Sequence, residues 1–301
     1  MTEGMRVVDE FPDALTEVNP FWYGVAPDGG VANSPGAENN DVLARIKARR
    51  MAIIPTIATA EGPPISAILN DDAGRAAHIE QIMAKVRNPL YDGIDIDYEN
   101  LPASDKDIFS RFIQELSAKV HEAGKQLVVT VNAKTFEPGN WNGAQSHDYA
   151  AIGASADFVR VMAYDQHYAA GPPGPIAAID WVEKVIAFSL TKIPRKKLIL
   201  GVPLYGYDWG GAGRARSVVH DEAAAKSLSS QAPIEWDARS ASSFFRYNDG
   251  SGAHTVWFEN SRSLEAKIAL AVKYDLAGIA IWRLGREDKT FYQKVRAELS
   301  P

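Results

Sequence analysis

The chain has 301 residues, 46% hydrophobic and 23% charged, enough for a sizeable globular core in one large domain or two small ones. Its net charge is 32 − 38 = −6 and no dense basic block is present, which argues against nucleic acid as a partner. It has no cysteine, so disulfide frameworks and thiolate metal sites are excluded, and no stretch is apolar for long enough to cross a membrane as a helix.

In chain order, the start MTEGMRVVDEFPD lacks the apolar core of a signal peptide. Seven strand-like runs follow: Phe21–Val25, Ala52–Ala58, Gly93–Tyr98, Gln126–Asn132, Phe158–Tyr164, Lys197–Tyr205 and Ala277–Leu284. They are mostly continuous and β-branched, as expected of parallel strands buried on both faces. Helical patterns alternate with them over Asp41–Arg50, Ala73–Val86, Ser104–Ala123, Ile179–Leu190 and Arg262–Tyr274. In the clearest, Ser104 and Asp107 form an S-x-x-D capping signal. Phe109, Phe112, Ile113, Leu116 and Val120 share one face, and Gly124 is the stop.

This alternation predicts a parallel α/β fold, and the length and repeat number favour a (β/α)8 TIM barrel spanning residues 1–301. An eighth strand must precede Phe21, where only Met5–Val8 is available, so the first strand is expected to be short or missing. Gly210–Asn260 is too long for a plain connection. It carries strand-like pieces at Arg214–Val219 and His254–Phe258 and a helix at Asp221–Ser229, which predicts a small α+β insertion, residues 210–260, before the last strand. Its Trp236, Phe244, Tyr247 and Trp257 either wall a cleft or, the plainer reading, pack the insertion's own core.

The run YDGIDIDYEN (residues 91–100) sets Asp95, Asp97 and Glu99 on one face of a strand, with Ile94, Ile96 and Tyr98 on the other. In a barrel the shared face is the interior and the strand end is the catalytic rim. Stacked carboxylates raise one another's pKa, so such a column can hold a carboxylic acid ready to donate a proton. The alternatives are an Mg²⁺ or Ca²⁺ site and a solvated strand end, which the alternation with isoleucines disfavours. Asp92 reads as support for the strand start.

Asp92-Gly-Ile-Asp95-Ile-Asp97-Tyr-Glu99 resembles the D-x-x-D-x-D-x-E signature of glycoside hydrolase family 18, the chitinases and their relatives. Met162-Ala-Tyr164-Asp165 resembles the family's M-x-Y-D, and Trp282 matches the tryptophan beneath its sugar site. NPFWYGV, MAYDQHY, GPIAAIDWV, KLILGVPLYGYDW and AIWRLGRED resemble the spore cortex-lytic N-acetylglucosaminidase branch, over nearly the whole chain from Asn19 onward. That branch often carries LysM peptidoglycan-binding modules ahead of the barrel, and none is expected in these residues.

The resemblance implies a retaining hydrolase in which the substrate's own 2-acetamido oxygen attacks the anomeric carbon. Glu99 would be the general acid and then base. Asp97 would hold the acetamido N–H, and Asp95 would share a proton with Asp97. Tyr164 would donate to the acetamido carbonyl, Asp165 would bind the sugar, and Trp282 would stack beneath the ring. Gln166, Asn132 and Tyr205 are expected to line the sugar site; Tyr164 and Trp282 also have plainer readings as core aromatics. No metal and no cofactor are expected, and His167 has no second histidine at ligand spacing.

The implied partner is a polysaccharide containing N-acetylglucosamine, with no membrane insertion and no protein partner evident. Spore-cortex peptidoglycan is the leading substrate. Chitin and N-glycans are alternatives, as is a catalytically silent carbohydrate-binding barrel. No signal peptide is visible, yet such a substrate implies the spore, the cell wall or the exterior.

Overall fold

Residues 3–211, 213–285 and 290–299 are described by the computed structural model. The chain forms two units: Leu15–Val161 with Phe188–Ile199, and Met1–Ala14 with Met162–Ala187 and Leu200–Pro301. The chain opens with helix α1 (Glu3–Glu10), so the strand expected over Met5–Val8 is not formed. Met5 and Val8, one turn apart, are buried with Val7, while Arg6 and Glu10 pair at 2.6 Å across the exposed i, i+4 spacing. Helical period outweighs the β-branched composition of so short a run.

The larger unit then runs β1 (Glu17–Val18), β2 (Phe21–Val25), β3 (Val31–Asn33), α2 (Asn40–Ala48), β4 (Ala52–Ile53), β5 (Thr56–Thr59), α3 (Gly62–Asn70) and α4 (Asp72–Val86). It continues with β6 (Gly93–Tyr98), α5 (Lys106–Glu122), β7 (Gln126–Asn132), α6 (Asn142–Gln145), α7 (Tyr149–Ser155) and β8 (Phe158–Met162). Helix α8 (Ile179–Ser189) and β9 (Leu198–Pro203) fall mostly in the other unit. Strand order in the larger unit is β8-β7-β6-β5-β2-β3. Strands β2, β5, β6 and β7 pair in parallel, and β3 is antiparallel to β2.

The run Ala52–Ala58 divides at Pro55, which has no N–H for a ladder. Its first half, β4, pairs with the short β1, and its second half, β5, joins the main sheet. Asp92 braces this region: its Oδ2 accepts the Ile53 N–H at 2.7 Å and the Lys47 ammonium at 2.6 Å.

Helix α5 buries Phe109, Phe112, Ile113, Leu116 and Val120 as its pattern predicts, each worth about 1.5–3 kcal/mol when fully buried. Its start differs from expectation. A 3₁₀ turn over Ala103–Asp105 precedes it, Asp105 is the N-cap but its side chain makes no capping bond to the helix, and Ser104 turns its hydroxyl to Asp105. Gly124 takes φ +67°, where a Cβ would be strained, and ends the helix.

The other unit holds β10 (Gly206–Gly210), β11 (Arg216–Val218), α9 (His220–Ser229), β12 (Glu235–Asp237), β13 (Ser242–Asp249) and β14 (Gly252–Phe258). These strands form an antiparallel sheet ordered β11-β10-β14-β13-β12, over a core that includes Val218, Ala223, Phe245, Tyr247, Val256 and Phe258. Helix α10 (Ser261–Lys273), β15 (Gly278–Trp282) and α11 (Thr290–Leu299) complete it, with β15 beside β9. Among the described residues no ladder closes the main sheet on itself, and no helix is long and apolar enough to cross a membrane.

Candidate active site

Strand β6 carries the acidic column, and its two faces meet different surroundings. On one face the Tyr98 ring stacks on Phe112 at 5.8 Å and its hydroxyl lies 2.7 Å from His78 Nε2, so this face is covered by α4 and α5. Asp95 and Asp97 alternate with that face and point away from the helices.

Asp95 is 1% exposed and fully engaged. Its Oδ2 accepts from Thr56 Oγ1 at 2.8 Å and from Arg160 Nη1 at 2.9 Å, and its Oδ1 accepts from Thr130 Oγ1 at 2.9 Å. These donors come from β5, β8 and β7. Arg160 also donates to Glu17 Oε1 at 3.0 Å, and burial raises the Glu17 carboxyl above its ordinary range against the pull of that guanidinium. A carboxylate committed to hydroxyls and an arginine is the reverse of what a cation site needs.

Asp97, one step nearer the strand end, is 7% exposed, and its Oδ1 is buried without a hydrogen-bond partner among the described residues. Burial, then the charges of Glu99 and Asp95, push its carboxyl well above the usual range, opposed by Arg160. Desolvation and like charge thus favour the protonated form of Asp97 over the charged one. Glu99 is half-buried just past the strand, with its N–H bonded to the Thr59 carbonyl at 3.0 Å. Asn132, at the end of β7, is buried and donates from Nδ2 to the Glu99 carbonyl at 2.9 Å. Its amide thus holds main chain.

In the other unit, Asp165, Tyr205 and Trp282 line a cavity of about 650 Å³. Asp165 sits at φ +56°, a left-handed conformation that Asp tolerates better than most residues. Its Oδ1 accepts from Tyr205 Oη at 2.6 Å and Tyr207 Oη at 3.1 Å. Loss of water around it raises its carboxyl, and the two phenols pull it down. Trp282 is 39% exposed, and its carbonyl accepts the Leu204 N–H at 2.8 Å. Tyr164 meets Tyr205 edge to face at 6.2 Å between ring centroids.

Gln166 does not line this cavity. Its Oε1 accepts the Ala178 N–H at 3.0 Å and its N–H donates to the Ile176 carbonyl, which ties down the rim loop. His167 does similar work, with Nδ1 3.0 Å from the Pro172 carbonyl oxygen.

Sequence reasoning missed Tyr207, Arg216 and Glu222, which line the cavity from β10, β11 and α9. None of the insertion's Trp236, Phe244, Tyr247 and Trp257 is among the residues that line it. Tyr247 is in the insertion core, Phe244 stacks on Trp257 at 4.6 Å, and Trp236 lies under the Arg262 guanidinium at 3.9 Å. It also missed Arg160, Thr56 and Thr130, whose residue types carry no signal until the register sets them beside Asp95. The matched segment AIWRLGRED runs on to Arg286–Asp288, which lie outside the described residues.

The sequence profile described as Glycosyl hydrolases family 18 matches residues 28–287. YdhD of Bacillus subtilis is 33% identical over 291 residues, covering 93% of this chain and 68% of that protein. The cortical fragment-lytic enzyme of Bacillus subtilis is 34% identical over 226 residues, covering 72% of this chain and 52% of that protein, so the match spans about half of that enzyme. A chitinase from Chromobacterium violaceum superposes with a TM-score of 0.92 at 26% identity, covering 100% of this chain and 96% of that one. The fold is accordingly an α/β, TIM-barrel-like one.

Proposed function

Because the chain belongs to glycosyl hydrolases family 18, and is a glycoside hydrolase of the kind that acts on N-acetylglucosamine-containing glycans, we propose that it cleaves β-1,4 bonds after N-acetylglucosamine in peptidoglycan of the spore-cortex type. The name of the cortical fragment-lytic relative supplies that substrate class. The observation that carries the chemistry is the buried Asp97, its carboxyl pushed up by burial and like charge, between an arginine-anchored Asp95 and a half-buried Glu99.

In this reading the acetamido oxygen attacks C1 while the C1–O bond to the leaving sugar breaks. Glu99 gives its proton to the departing oxygen, and an oxazolinium ring remains, so no protein nucleophile is needed. Glu99, now a carboxylate, takes a proton from water as that water adds to C1. The ring's C1–O bond breaks in the same step, which reopens the acetamido group and leaves the configuration retained overall. Asp97 accepts the acetamido N–H through a carboxyl oxygen and so aims the acetamido group at C1. Tyr164 donates to the acetamido oxygen, Trp282 supports the ring, and Asp165, with Tyr205, binds the sugar.

Glu99→Gln is expected to abolish release of reducing ends from cortex fragments while leaving circular dichroism and melting unchanged. Full activity in that variant overturns the assignment of the acid. Mass spectrometry of products from cortex fragments, chitin oligomers and a glycoprotein decides the substrate: turnover confined to chitin favours the reading suggested by the Chromobacterium likeness.

A further inference from the structure

His147 is fully buried, yet nothing in the reaction as derived above uses it. It lies at the end of the segment joining β7 to α7, and both ring nitrogens are engaged by main chain. Nδ1 is 3.0 Å from the Asn132 N–H nitrogen, and Nε2 is 3.0 Å from the Tyr98 carbonyl oxygen. An N–H can only donate and a carbonyl can only accept, so the tautomer is fixed: Nδ1 accepts and Nε2–H donates. Burial, reinforced by the charge of Lys134, lowers the imidazole pKa to about 4, so the ring is neutral.

The ladder shows what the ring replaces. Strands β6 and β7 are parallel, with Gly93 opposite Gln126 and Asp97 opposite Thr130, and the Gln126 N–H donates to the Asp92 carbonyl at 3.0 Å. Stepping by two along both strands brings the Asn132 N–H opposite the Tyr98 carbonyl, the next rung. The imidazole occupies that rung: it accepts from one strand and donates to the other, and so spreads the strand ends by the width of a ring.

Glu99 begins at the same peptide. The widened gap admits the Asn132 side chain, whose Nδ2 donates to the Glu99 carbonyl at 2.9 Å. Two further contacts fix the wedge. Tyr149 Oη donates to the Asn132 carbonyl at 2.5 Å, and Lys134 Nζ donates to the His147 carbonyl at 2.6 Å. Gly143 seals the place from α6, where a Cβ would come within 2.2 Å of the Glu99 carbonyl oxygen.

We propose that His147 is a positioning residue for Glu99: its ring replaces the last β6–β7 rung and, through Asn132, sets where the Glu99 peptide stands at the strand end. The inference rests on Glu99 being the acid, as proposed above. A displacement of the order of 1 Å in a catalytic group costs up to about a hundredfold in rate, with little effect on ground-state binding.

The test uses the full chain and a fluorogenic N-acetylchitooligosaccharide. His147→Phe keeps ring volume and loses both hydrogen bonds; Asn132→Ala removes only the arm to Glu99; His147→Gln restores a donor and an acceptor. In the first two, kcat is expected to fall between about tenfold and a hundredfold with KM within about twofold, and His147→Gln is expected to recover most of kcat. Should His147→Phe not fold, Asn132→Ala reads the same arm. Glu99→Gln is measured in parallel. If it is inactive while folded His147→Phe or Asn132→Ala keeps wild-type kcat, or loses only through KM, the positioning role is overturned and the acid assignment stands. If Glu99→Gln stays active, the acid assignment itself fails.

Discussion

Arg160 on β8 reaches past β7 to bind Asp95 on β6, Nη1 to Oδ2 at 2.9 Å, with both side chains almost entirely buried. A buried pair of this kind adds little net stability over an apolar substitute, but breaking it leaves a charge without compensation. Arg160→Met is therefore expected to cost about 3–5 kcal/mol in urea unfolding, because Asp95 and Glu17 both lose their cation. Thr130→Val, which removes one neutral donor from Asp95, is expected to cost about 1 kcal/mol. Equal costs for the two variants would mean that the ionised pair is not what anchors the column.

Asp97 has the opposite signature. Its folded-state pKa is raised, so the native state holds this proton more tightly than the unfolded chain does. The contribution of Asp97 is fully favourable below the unfolded carboxyl range, near about pH 4, and is lost as pH rises through the raised folded value. Asp97→Asn, which mimics the protonated form, should therefore melt several degrees higher than wild type at pH 7 and equal it near pH 4, while losing activity. A variant less stable than wild type at pH 7 contradicts a desolvated Asp97 with a raised pKa.

Much of this was legible in sequence because alternation and helical period are short-range signals. The β6 pattern placed Asp95 and Asp97 opposite Ile94, Ile96 and Tyr98, and the α5 stripe gave its buried face. What was hidden depends on register and tertiary contact. Nothing local marks Arg160 as the partner of an aspartate 65 positions away, or His147 as a ladder rung. Strand β13 was missed although Phe245 and Tyr247 alternate with Arg246 and Asn248. The alternation is present there, in aromatics whose plainer reading from sequence is the insertion's own core. Met5–Val8 failed for a simpler reason: four residues are too few to separate period 2 from period 3.6.

The cavity beside Trp282 invites a direct test. An exposed indole stacking on a pyranose face contributes about 1 kcal/mol, roughly fivefold in kcat/KM. Trp282→Ala is expected to show at least that loss on a chitooligosaccharide, with melting little changed, since 39% of the residue already faces solvent. Tyr207→Phe removes a 3.1 Å bond to Asp165 but leaves the 2.6 Å bond from Tyr205, so its effect should be the smaller. Trp282→Ala with unchanged kcat/KM would remove the tryptophan from the sugar site.

His147 also predicts how the protein responds to acid. A buried imidazole that stays neutral to about pH 4 in the fold, against about 6.5 when unfolded, lets the unfolded state bind an extra proton between those values. Stability is then fully retained above about pH 6.5 and declines as pH falls toward 4, by about 3 kcal/mol at most. His78, also lowered by burial, adds to the decline in the same direction. The difference between wild type and His147→Gln isolates the first contribution, because glutamine does not titrate. Urea midpoints between pH 7 and pH 4 should converge as the pH falls, with wild type losing its advantage. Parallel curves would mean that the ring accepts its second proton without strain, and that the Asn132 N–H is not held by a neutral Nδ1.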